Sequence, residues 1–136
     1  MNYWLVKSEP GNYSIDDLAR DGKTCWDGVR NYQARNNLMK MKVGDMLLVY
    51  HSVHNPSIVG LASVTSTYYP DPTDETSKFC ALDIKFERKF KTPYSLAQVK
   101  ANPKLRDLAL VKQGRLSVMP VNKEQWEEIM GIVNPL

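Results

Sequence analysis

Five consecutive apolar residues, Met46 to Tyr50, follow the turn signal Lys42-Val43-Gly44-Asp45, and this run limits the fold more than any other stretch. Its lack of alternation suits a strand covered on both faces, so the rest of the chain must supply that cover. Polar groups surface at His51-Ser52, where the strand ends. After a loop over 53–57, residues 58–67 read as the return strand of a hairpin, with Gly60 marking a bulge or a close backbone approach. Tyr3-Trp4-Leu5-Val6-Lys7-Ser8 reads as a first strand stopped by Glu9-Pro10-Gly11. Residues 79–90 alternate Leu82, Ile84 and Phe86 with Asp83, Lys85 and Glu87, as a half-solvated antiparallel strand does. A short strand over 117–119 is ended by Pro120. Residues 68–74 carry two prolines and read as a loop.

Helices are placed by their end signals. Ser14 caps a helix whose first turn holds Asp16 and Asp17, and Gly22 ends it. Asn31 caps another running to about Met41, in which Ala34, Leu38 and Met41 share one face. Ser95 caps 96–101, Asn102-Pro103 breaks the chain, and 104–110 forms a further short helix. Asn122 with Gln125 has the capping-box pattern at the start of a last helix, which Gly131 closes. The expected fold class is α+β: one domain over 1–136, with a curved, mainly antiparallel sheet closing toward a β-barrel and short peripheral helices.

The chemistry-bearing stretch is Trp26-Asp27-Gly28-Val29-Arg30-Asn31-Tyr32-Gln33-Ala34-Arg35-Asn36-Asn37-Leu38. Trp26 and Tyr32 offer flat π faces, Arg30 and Arg35 planar donor forks, and Asn31, Asn36 and Asn37 both donors and acceptors. Such groups recognise a planar ring with polar edges. Asp27-Gly28 is a turn signal. Packing of Trp26 at the start of a plain surface helix is the competing reading, against which stand three asparagines within seven residues, 31, 36 and 37.

Charge points the same way only through its distribution. The net charge is +3. Lys85, Arg88, Lys89 and Lys91 cluster against Glu87, and Lys100, Lys104, Arg106, Lys112 and Arg115 against Asp107. Folded onto one face with Arg30 and Arg35, these would form an anion-attracting patch; otherwise they are solvated faces. Arg35, Lys100, Lys104 and Lys112 are the expected phosphate contacts.

Other classes find little support. His51 and His54 are the only histidines, without placed acids, so no metal is expected. No GxSxG motif frames Ser52, and neither a P-loop nor GxGxxG occurs, so neither covalent nor phosphoryl chemistry, nor any cofactor, is expected. Cys25 and Cys80 lack CxxC partners and read as buried free thiols. No signal peptide and no bilayer-length apolar run is present, and a cytoplasmic protein without membrane contact is expected.

Five motifs in order resemble the EVE domain, the thymocyte nuclear protein family: residues 3–10, residues 26–36, Tyr50-His51-Ser52, Tyr69-Pro70-Asp71-Pro72-Thr73 and Arg115-Leu116-Ser117-Val118. The resemblance implies a PUA-like barrel related to the YTH readers, and a pocket taking a flipped, modified base, notably modified cytosine in DNA. Carried over, it assigns Lys7 and Ser8 from the first strand and Trp26, Val29, Arg30, Asn31 and Tyr32 from the central stretch. Tyr50, His51, Ser52, Arg115, Leu116 and Ser117 complete the ligand-binding set. Met39 and Gly114 depart from the family pattern, which bears on the pocket's surround. Trp26 is the expected stacking wall, and Asn31, Ser8 and Ser52 the expected readers of a base edge. Arg115 suits a phosphate contact or a structural role equally, and Lys7 suits the site or a pair with Asp27. The expected function is a non-enzymatic reader of a modified base, a 5-methylcytosine reader in the favoured case, working beside an effector such as a nuclease. RNA binding and a small-molecule or nucleotide-binding regulator are the alternatives.

Overall fold

The computed structural model describes residues 1–133. The elements follow in the order β1 (Tyr3–Ser8), α1 (Ile15–Asp21), β2 (Lys23–Trp26), α2 (Tyr32–Lys40), β3 (Met46–His51), β4 (Ser57–Val64), β5 (Tyr69–Pro70), β6 (Cys80–Ser95), α3 (Leu96–Ala101), α4 (Ala109–Lys112), β7 (Val118–Val121) and α5 (Lys123–Val133), with a 3-10 turn at Pro103–Leu105. The main sheet runs β2-β6-β4-β3-β1-β7, and β5 pairs with β6 beside it. Only β1 and β3 are parallel among these pairings. The apolar run of β3 sits between β1 and β4, and Leu47, Leu48, Val49 and Tyr50 are all buried.

The sheet stays open, so the expected barrel does not form. Lys7 N–H donates to the Ser117 carbonyl at 2.9 Å, which turns the Val118 carbonyl away from β1 along the pleat. A closing strand would have to meet that outer edge. Helix α2 packs there instead, and the buried Asn37 amide donates to the Val118 carbonyl at 2.7 Å. The cost of an asparagine in mid-helix is thus offset by an edge carbonyl that would otherwise be buried without a partner.

Local signals mostly become the expected elements. Ser14 and Asp17 form a reciprocal capping box, Asn31 accepts from Ala34 N–H, Ser95 pairs with Gln98, and Asn122 with Gln125. Several boundaries differ. β4 ends at Val64 rather than 67, β6 continues to Ser95, and the 104–110 segment divides into the 3-10 turn and α4. β7 carries Pro120 within it, which an edge strand tolerates, and α5 passes Gly131. Nothing in the local sequence announces β2: its four residues look like loop until they pair with β6 from Lys23↔Lys85 to Trp26↔Leu82.

Gly60 is both a bulge and a close approach. The β4–β6 register shifts between Ile58 and Gly60, and a Cβ at Gly60 would fall 2.8 Å from the Arg88 carbonyl and against the Ile15 side chain. Gly60→Ala is therefore expected to destabilise the fold by about 1–3 kcal/mol through overpacking, read as a lower denaturation midpoint with an unchanged m-value. An unaltered midpoint would show that α1 can retreat freely from β4.

Candidate functional site

A cavity of about 780 Å³ opens where the end of β1, the end of β2 and the start of α2 meet. Lys7 and Ser8 enter it from β1, followed by Glu9, Asn12 and Tyr13 from the loop beyond. Thr24, Cys25 and Trp26 come from β2, the connection 27–31 forms the opposite wall, and Ser117 closes the side next to β1. Of the residues expected at the site, Lys7, Ser8, Trp26, Val29, Arg30, Asn31 and Ser117 are brought together here.

Trp26 is both wall and core. It lines the cavity yet is only 8% exposed, and Tyr13 meets its ring edge-on with centroids 6.5 Å apart. The two readings of Trp26 were therefore not exclusive: one side packs, another faces the cavity. Val29 is likewise buried where it lines the wall.

Arg30 turns out to be a clamp. Its guanidinium donates to Asp71 at 2.9 Å, to the Thr73 hydroxyl at 2.9 Å and to its neighbour's carbonyl at 3.0 Å. Asp71 is fully buried on its side chain and also accepts from Gly28 N–H at 2.8 Å and from the Thr73 amide and hydroxyl. Burial pushes the Asp71 carboxyl up, but the hydrogen bonds from Thr73, Arg30 and Gly28 outweigh it and hold the group at about 2. The 69–73 motif thus fixes the cavity wall from behind, with Gly28 at φ 79° where only glycine is unstrained.

The polar lining is part spent and part available. Lys7 Nζ donates to the Gly114 carbonyl at 2.8 Å and lies 5.6 Å from the Tyr50 ring centroid, so its partner is a carbonyl rather than Asp27. Burial lowers its pKa. The Ser8 hydroxyl donates to the Tyr13 carbonyl, and Asn31 spends its side-chain oxygen on the α2 cap. Lys7 retains two further N–H groups, and the oxygens of Ser8 and Ser117 can still accept.

Six expected site residues lie outside the cavity lining. Tyr50 and Leu116 are buried in the core, where the apolar pattern of their strand and loop places them. His51 Nε2 accepts from Ile15 N–H at 3.0 Å at the start of α1; burial lowers its pKa, Asp16 opposing and Lys89 assisting. Ser52 N–H joins the Ser8 carbonyl at 3.0 Å, Arg115 is exposed, and Tyr32 stacks on Phe79 on the outer side of α2. Asn36 accepts from Arg35 rather than facing the cavity.

The expected basic patch is not assembled at the cavity. Arg35, Lys100, Lys104 and Lys112 do not line it. Arg35 donates to the Lys78 carbonyl, Lys104 approaches Glu128 at 3.8 Å, and Lys112 pairs with Asp107 at 2.9 Å. The charged lining is Lys7 and Arg30 against Glu9 and Asp27, and is thus formally balanced. Such a wall suits a neutral ring better than a phosphate. Tyr13, Glu9, Asn12, Thr24 and Cys25 were missed. The sequence marks Tyr13 only as an aromatic beyond a Pro-Gly turn, and nothing local brings it to Trp26.

These features define a class: a compact α+β module with an aromatic-walled, charge-balanced cavity at one end of an open sheet. The chain belongs to the EVE domain family, whose model it matches over residues 2–132. It is 33% identical to human thymocyte nuclear protein 1 over 96% of the chain and 73% of that protein, and 36% identical to the zebrafish (Danio rerio) protein over 96% and 71%. Among solved structures, a Pseudomonas syringae protein superposes with a TM-score of 0.90 at 46% identity, covering 96% of this chain and 98% of its own. Human THYN1 in complex with 5-methylcytosine-containing DNA superposes with a TM-score of 0.91 at 31% identity, over 100% and 99% of the two chains. Among the described residues, no helix is long and apolar enough to cross a membrane.

Proposed function

We propose that this protein binds DNA carrying a modified cytosine and takes the base, flipped from its stack, into the Trp26 cavity. The observation that carries the reading is the cavity itself, whose Trp26 and Tyr13 walls, balanced charge and size within the range of small-ligand sites suit one uncharged ring. The structure of human THYN1 with 5-methylcytosine-containing DNA supports DNA as the partner. Lys7, the Ser8 and Ser117 hydroxyls and the Asn31 side-chain amide N–H groups are the groups that read the base edge. Asp71 and Arg30 hold the wall, and Gly28 lets the backbone turn. The reading is non-enzymatic, with any processing of the DNA left to a separate effector.

Matched oligonucleotides differing only in one methyl group test it. The modified strand is expected to bind more tightly than its unmodified twin, and more tightly than the equivalent RNA, while its mass stays unchanged after prolonged incubation. Equal affinities for the methylated and unmodified strands would overturn the reading, and time-dependent product would overturn its non-enzymatic part.

A further inference from the structure

The structure places an aromatic and guanidinium ladder outside the cavity, and we propose that it holds the nucleotide next to the flipped base on the same strand; this rests on the base-binding reading above. The ladder begins at Arg30, which lines the cavity and lies 5.5 Å from the Phe79 ring centroid. Phe79 stacks on Tyr32 with centroids 5.1 Å apart and planes 27° from parallel. Arg35, one helical turn on, lies 4.9 Å from the Tyr32 centroid. Two arginines and two rings, from the 27–31 connection, α2 and the 74–79 loop, thus run outward from the cavity mouth.

Tyr32 is 53% exposed, on a helix whose other face is core. The groups around it are held in place. Arg35 is tied to the Lys78 carbonyl and the Asn36 side chain, and Asp74 accepts from the Lys78 and Phe79 amides. Little side-chain entropy therefore remains to be lost when a partner docks.

The chemistry commits the ladder to nucleic acid. Phe79 and the Arg35 guanidinium already lie against the Tyr32 ring, so the neighbouring base stacks on the guanidinium plane that Tyr32 backs, as any base can, and the spare N–H groups of that guanidinium meet a phosphate oxygen. Arg35 donates to the Lys78 carbonyl and the Asn36 oxygen through three nitrogen atoms, leaving N–H groups free for a phosphate. Continuity supplies the register: Asn31 lines the cavity and caps the helix that carries Tyr32, so the two sites are joined by one residue. A base drawn into the cavity brings its neighbour out of the duplex stack beside Tyr32. The cavity then selects the modified base, while the ladder holds the strand irrespective of sequence.

The test uses Tyr32→Leu and Tyr32→Phe, with short single-stranded DNA carrying either cytosine or 5-methylcytosine, and free 5-methyldeoxycytidine. Tyr32→Leu is expected to weaken binding of both oligonucleotides by about tenfold, leaving their affinity ratio and the nucleoside's affinity unchanged. Tyr32→Phe keeps the ring that backs the Arg35 plane and should bind as the parent does. Arg35→Gln should lower the salt dependence of log K by about 0.7, one phosphate contact. Melting curves confirm that each variant is folded. Unchanged oligonucleotide affinity in folded Tyr32→Leu overturns the ladder, as does a selective loss of methyl preference, which would place Tyr32 in the base site. A parent protein without methyl preference, but with the Tyr32→Leu loss intact, would refute base reading and still support the ladder.

Discussion

Asp71→Asn is expected to lower stability at neutral pH by about 2 kcal/mol and to weaken oligonucleotide binding with it. The carboxylate receives donors on both oxygens, from Gly28 and Arg30 on one and Thr73 on the other. An amide must point an NH2 group at one of these sets, so a donor meets donors. The parent's pH dependence provides the matching observation. Asp71 is held at about 2 in the folded protein, against an ordinary 3.8. A depressed carboxylate stabilises the fold above the unfolded value, and that contribution is lost as pH falls from about 4 through about 2. At about 1.4 kcal/mol per unit, the shift is worth roughly 2 kcal/mol. Urea unfolding of both proteins across this window should show the gap between them closing as acid titrates Asp71. A constant gap would mean that charge is not what holds the wall.

Trp26→Ala is expected to reduce both stability and recognition. At 8% exposure the ring is packed enough that truncation should cost about 3–5 kcal/mol, more than a stacking wall read from sequence alone would lose. The folded fraction should also bind the modified strand about 1–3 kcal/mol more weakly, the worth of one stacked base. Trp126 is the control. It is 9% exposed, stacks on Tyr3 with centroids 4.4 Å apart, and does not line the cavity. Its replacement by alanine should destabilise comparably while the folded fraction binds as the parent does. Trp26→Phe should fall between, since a smaller π face remains. Parental affinity in folded Trp26→Ala would reduce Trp26 to a core residue and remove it from the site.

Much of the fold was legible because its causes are local. Ser14, Asn31, Ser95 and Asn122 each cap a helix through a partner three residues on, so their pattern is written in consecutive residues. The run at β3 announces a strand covered on both faces, and Gly60 a close approach, because only a missing side chain fits there. Residue types also drew attention to the Trp26 stretch, and seven residues expected at the site do line one cavity.

What the tertiary structure alone decided depends on partners far along the chain. β2 is a strand only because β6 offers it an edge, and the sheet remains open because the Asn37 amide occupies the outer side of β7, 81 positions away. Arg30, which by sequence suits a phosphate contact or a place in the pocket's frame, is fixed in the frame by Asp71, 41 positions on, and Tyr32, expected within the base site, stacks on Phe79 outside it. Tyr50 and Leu116 are taken up by the core, and Tyr13 meets Trp26 only because α1 folds back and brings the end of β2 beside it. A hydrogen bond to a neighbour is encoded by the sequence around it, whereas a side chain's charge balance and exposure are set by whichever distant segment folding brings against it.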